Sequence, residues 1–114
     1  VGIGPFVVGP AIERKIGLSA MSQIAIRAND FFKPDWAVSK GLYTEVYDDA
    51  EALDVAVMGL AQSLTKYNPD AMVRMKTMFW SGTEQWDDIL LERAAISGEL
   101  VLSDFTRETL KRFA

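Results

Sequence analysis

From Gly17 onward, the apolar positions of this chain recur mostly at helical intervals. Ala20, Met21, Ile24, Ala25 and Ala28 share one face and predict a helix over residues 19–28, with Asn29-Asp30 as the stop. Pro34 suits a first helical turn, Trp36, Ala37 and Val38 follow it, and Gly41 ends the short helix. Leu53, Val57, Leu60, Ala61 and Leu64 form a stripe on a helix reaching about Lys66. Asp48 with Glu51 marks its start as a capping box, Asp standing in for Ser or Thr. Asn68 caps the next helix, Pro69 takes its first position, and Met72, Met75 and Phe79 form its apolar face, with Met78 alongside. Ser81-Gly82 breaks that helix, and Thr83 starts another carrying Trp86, Ile89, Leu90, Ile96 and Leu100. Ser103 or Asp104 caps a last helix with Phe105, Leu110 and Phe113. One stretch alternates instead: Leu42, Thr44 and Val46 face one way and Tyr43, Glu45 and Tyr47 the other, which predicts a strand over residues 42–47. The expected chain is therefore mostly α, with five or six helices and one or two short strands.

Composition narrows the chemistry more than the fold. The 114 residues are 49% hydrophobic and 25% charged, which is ordinary globular usage and enough for one modest core. A net charge of −4 argues against a nucleic-acid partner, because such domains cluster excess Lys and Arg. The absence of histidine and cysteine excludes a disulfide scaffold, a Cys/His zinc site and any triad with His as base. Absent cysteines also suit a reducing, cytoplasmic compartment. No apolar run nears the ~20 residues that span a bilayer, so no membrane partner is expected. The start lacks the pattern of a signal peptide, and opening on Val1 suggests a processed or truncated chain.

The remaining motifs carry little chemistry alone. Gly2-x-Gly4 begins like a dinucleotide fingerprint, but Val7 stands where the third glycine belongs and no complete strand precedes it. Glu45, Asp48, Asp49, Glu51 and Asp54 could hold a hard cation; a solvated turn with acids at a helix N-terminus is the simpler reading, and no metal site is assigned. Glu84, Asp87 and Asp88 read the same way, as first-turn acids. Met72, Met75 and Met78 fit a core face better than an adaptable binding face. Arg107, Lys111 and Arg112 could meet a phosphate, or could offset the C-terminal end of a helix dipole.

The order of these signals resembles the C-terminal half of the enoyl-CoA hydratase/isomerase (crotonase) family. Gly2-Ile3-Gly4-Pro5 resembles the family's L-G-x-x-P turn. Ile12, Arg14 and Ile16-Gly17 resemble the helix that follows it. Pro34, Ala37, Gly41 and Leu42 resemble the A-x-x-A-x-x-x-G-L-V segment, and Pro69, Ala71 and Lys76 the P-x-A-x-x-x-x-K helix. Gly98 resembles the glycine of the final E-G-x-x-A-F segment. Methylglutaconyl-CoA hydratase-like members are nearest in pattern. The chain departs from the family where Val7-Val8 precede Gly9-Pro10 in place of a double glycine, and where Leu102 and Phe105-Thr106 replace the final aromatic and Lys-Arg.

The resemblance implies an α/β crotonase (ClpP/crotonase-like) fold. Residues 1–47 would end its core domain, and residues 48–114 would form its C-terminal helical trimerisation and lid region. It implies an acyl-CoA thioester as substrate, no separate cofactor since the substrate carries coenzyme A, and a homotrimer or dimer of trimers. Gly4, Pro5 and Phe6 would line the acyl pocket, and Arg107 would be a displaced substitute for a coenzyme A phosphate contact. The oxyanion hole and catalytic glutamates would lie upstream of Val1, so no catalytic residue is assigned within the chain. Two other readings stand beside it: a stand-alone helical interaction or assembly module, and an enzyme working through local acids such as Glu13 or Glu45.

Overall fold

The computed structural model describes residues 2–113. These hold six helices: α1 (Gly9–Ile26), α2 (Pro34–Ser39), α3 (Ala50–Leu64), α4 (Pro69–Phe79), α5 (Trp86–Val101) and α6 (Asp104–Lys111). They fall into two units, one formed by Val1–Tyr43 with Gln85–Ala114 and the other by Thr44–Glu84.

In the first unit, Gly9 and Pro10 open α1, the proline sitting where a missing N–H costs nothing. Gly17 interrupts α1 with φ 75° and ψ 161°, so residues 9–16 and 18–26 are two helical runs joined at a kink. Arg27 closes the second run and holds the turn beyond it. Its backbone carbonyl accepts from Asp30 N at 3.0 Å, and its Nε lies 2.5 Å from Asp30 Oδ2. Its guanidinium sits 5.4 Å above the Phe32 ring, which packs at 4.5 Å, tilted, on Trp36 of α2. Ala20, Met21 and Ala37 are the buried hydrophobic residues among those described, and all three belong to this unit.

The end of α2 explains the missing strand. Gly41 adopts φ 77° and donates its N–H to Val38 O at 2.9 Å, while Leu42 N reaches back to Ala37 O at 2.8 Å. This paired closure satisfies the last carbonyls of the helix. Tyr43 N also donates to Ala37 O, at 3.2 Å, and Lys15 Nζ donates to Leu42 O at 2.7 Å. The first residues of the alternating stretch thus spend their polar groups on a helix end and a lysine. Residues 42–47 form bends and coil, and the described residues contain no strand at all. The expectation of a strand fails because alternation without a partner strand leaves a ladder of unpaired groups.

α5 and α6 meet at a tight corner. Ser103 caps α6 by accepting from Thr106 N at 3.3 Å, and its Oγ donates to Leu100 O at 2.7 Å. Thr106 Oγ1 donates to the same carbonyl at 2.8 Å, and the Thr106 residue is fully buried. The N-terminal segment covers this corner: a Cβ on Gly2 would stand 2.6 Å from the Phe105 ring and 3.3 Å from Thr106 Oγ1. Gly2 itself has φ 80°, a conformation few other residues adopt.

In the second unit, α3 is capped by Asp49, whose Oδ1 accepts from Ala52 N at 2.8 Å. The cap therefore lies one residue beyond the Asp48 expected from sequence. Asn68 Oδ1 accepts from Asp70 N at 2.9 Å and Ala71 N at 3.3 Å, and Pro69 takes the first turn of α4, as its sequence predicts. α4 ends at Phe79, and Gly82 turns the chain with φ 81°. No residue of α3 or α4 is buried. Leu53, Val57, Leu60 and Leu64 keep their stripe but remain exposed; so do Met75, Met78 and Phe79. The expectation that the methionines are core is therefore overturned: Met78 is 71% exposed. The physical reason is size, since a unit of about 40 residues has too little chain to cover two amphipathic helices.

Candidate functional site

Gly4, Pro5 and Phe6 form one compact turn at the head of α1. Phe6 N donates to Gly4 O at 2.9 Å, and Gly9 N donates to Pro5 O at 2.9 Å, which starts the helix. The Phe6 ring folds back over Gly4: a Cβ at Gly4 would lie 2.9 Å from its edge. Glycine at this position is thus what lets a half-buried ring approach the backbone. The turn offers an apolar ring and main-chain groups, and neither of its two side chains is ionisable.

Arg107 lies on α6, next to the corner that Gly2 covers. Its Nη1 is 3.5 Å from Asp104 Oδ1, and both side chains are largely exposed. Lys111 pairs with Glu108 at 2.6 Å in the following turn. The basic tail is thus a set of surface ion pairs one turn apart, each of small energetic weight.

The acids are placed in separate local roles. Asp49 caps α3 and Glu51 follows in its first turn, where negative charge meets the positive end of the helix dipole. Asp87 and Asp88 occupy the first turn of α5, while Glu84 lies ahead of it and accepts from Gly82 N at 3.1 Å. Glu45 accepts a hydrogen bond from the Tyr47 hydroxyl, which raises the phenol's pKa above 10.0; burial and the carboxylate's charge add to the shift. Among the described residues no group of three or more acids is arranged to hold a metal ion. No helix among them is long and apolar enough to cross a membrane.

A feature that sequence reasoning missed lies between α1 and α5, both in the first unit. Pro10, Glu13 and Arg14 lie at helical spacing on the first run of α1, and Leu18 follows just past the Gly17 kink. Trp86, Ile89 and Arg93 do the same along α5. The two faces and the Gly17 kink bound an open cleft of ≈ 410 Å³. Arg93 reaches across it: its Nη1 would lie 3.5 Å from a Cβ on buried Gly9, and Met21 Cε 3.6 Å from the same point. Both spacings are present in the sequence. What sequence cannot supply is that these two faces oppose each other with a gap between them.

No family model, no curated protein and no solved structure matches this chain. The crotonase resemblance therefore rests on the residues quoted for it.

Proposed function

We propose that the chain is the C-terminal portion of an acyl-CoA hydratase or isomerase of the crotonase type. Such an enzyme adds water to an enoyl-CoA thioester or shifts its double bond. On this reading Gly4, Pro5 and Phe6 form part of the acyl-pocket wall. The oxyanion hole and glutamates precede Val1, so the chain is inactive alone. Arg107, freed from Asp104, would reach a coenzyme A phosphate, and the exposed helical faces would be covered in a homotrimer or dimer of trimers. The observation that carries the reading is the Gly4–Phe6 turn. There a glycine lets an apolar ring fold back over the backbone at the head of a helix, and that apolar surface is what supports an acyl-pocket wall.

Hydration of crotonyl-CoA, followed by loss of the enoyl-thioester absorbance, tests it. The isolated chain is expected to be silent, and the chain joined to its own upstream coding sequence to turn over. In that longer protein Phe6→Ala raises KM about tenfold, the loss expected for removing a buried ring face from an apolar substrate, with a smaller effect on kcat. A longer protein without turnover overturns the proposal.

The bare apolar stripes on α3 and α4 favour a second reading, a stand-alone helical assembly module without activity. It requires a defined oligomer of the 114-residue chain in sedimentation; a monomer or an aggregate refutes it.

A further inference from the structure

The α1–α5 cleft combines features that the hydratase reading does not use. Its apolar lining is Leu18 and Pro10 from α1 and Ile89 and the half-buried Trp86 indole from α5. Its charged groups are two guanidiniums, Arg14 and Arg93, against the single carboxylate of Glu13. Arg93 is half-buried, and no carboxylate of the described residues pairs with it. A half-withdrawn cation beside apolar side chains gains more from an anion than an exposed surface arginine does, because local screening is weaker. Glu13 too has no ion pair among the described residues, so it opposes an incoming anion rather than neutralising Arg93.

We propose that this cleft binds a small anionic amphiphile: a carboxylate or phosphate carried on a flat apolar body. The flat body lies against Trp86, Leu18 and Ile89, where ring stacking and area burial act together. The anion meets Arg93. The kink at Gly17 keeps α1 from continuing straight along this wall, and no atom lies within 4 Å of where a Cβ on Gly17 would stand. The site shares no residue with the Gly4–Phe6 turn and does not depend on the hydratase reading.

The test uses the 114-residue chain, labelled with nitrogen-15 and titrated with 2-naphthoate, 2-naphthyl phosphate and neutral 2-naphthamide. Circular dichroism first establishes that the chain is helical. Both anions are expected to shift the Trp86 indole and Leu18 amide resonances, with a Kd on the order of 1 mM for ligands of this size. The amide, lacking charge, binds about tenfold more weakly. Arg93→Gln weakens both anions about tenfold, and Glu13→Gln tightens them about twofold by removing a screened like charge. The ratio of carboxylate to phosphate affinity identifies which head group the cleft takes. Equal binding of the neutral amide overturns the proposal, as does indifference to Arg93→Gln. A chain without helix in circular dichroism also overturns it, since the cleft would then not exist on these residues alone.

Discussion

The kink in α1 can be probed by adding one methyl group at two places in the same unit. Gly17 has φ 75° and ψ 161°, a region that side chains other than hydrogen avoid. Holding alanine there costs about 1–3 kcal/mol. Nothing lies within 4 Å of the added methyl, so the cost is one of backbone conformation and includes no clash. Gly98 lies inside α5 and is equally open, with nothing within 4 Å of its Cβ position. Alanine there gains about 0.5–1 kcal/mol, because the unfolded chain loses freedom that a helix does not want. The same substitution thus has opposite signs at the two sites, and the two variants differ by about 1.5–4 kcal/mol. Urea unfolding followed by far-ultraviolet circular dichroism reads this as midpoints separated by on the order of 1 M, Gly17→Ala below the parent and Gly98→Ala above it. If Gly17→Ala raised the midpoint as Gly98→Ala does, α1 would run straight through residue 17. The kinked wall of the α1–α5 cleft would then be lost with it.

Two further outcomes follow from local bonding. Thr106→Val keeps the shape of a fully buried side chain and deletes the Oγ1 that donates to Leu100 O and accepts from Ser103 Oγ at 3.2 Å. That carbonyl still accepts from Ser103 Oγ at 2.7 Å and Ser103 N at 3.1 Å, so the loss is expected near the lower end, about 1 kcal/mol, in the same urea assay. A loss several times larger would mean that Leu100 O is not held by Ser103 alone and that the α5–α6 corner comes apart without Oγ1. Tyr47 provides a pH test. Its folded pKa is raised, so the structure favours the neutral phenol. The stabilisation is present below the unfolded value of 10.0 and is lost as pH climbs through the folded one. Glu45→Gln should bring the Tyr47 phenolate absorbance in at lower pH in an alkaline titration; an unchanged curve would remove Glu45 as the cause.

Punctuation was the legible part of this sequence. Gly41, Asn68-Pro69 and Ser103 each end or cap a helix where their chemistry predicts, whereas α1 already ends at Ile26, ahead of the Asn29-Asp30 stop. Such signals act within a turn of the chain, so they survive whatever the tertiary surroundings do. The strand over residues 42–47 was misread because alternation describes side chains only, and the backbone groups of Leu42 and Tyr43 were already claimed by Ala37 O. The core was misread for a different reason. Periodicity shows which face of α3 or α4 is apolar, but not whether anything covers it. Gly4, Pro5 and Phe6 share one turn because they are consecutive, and that turn by itself assigns them no role. The α1–α5 cleft stayed hidden because its two walls lie about 75 residues apart in sequence, and spacing rules reach only along one element.

The packing of Gly2 against Phe105 and Thr106 has a temporal side. The segment that covers the α5–α6 corner is made about 100 residues before the corner itself. At a synthesis rate of roughly 5–20 residues per second, it waits on the order of 5–20 s for its partner. The second unit is made entirely within that interval, with the apolar faces of α3 and α4 uncovered. The first unit therefore completes itself last, by closing its longest loop.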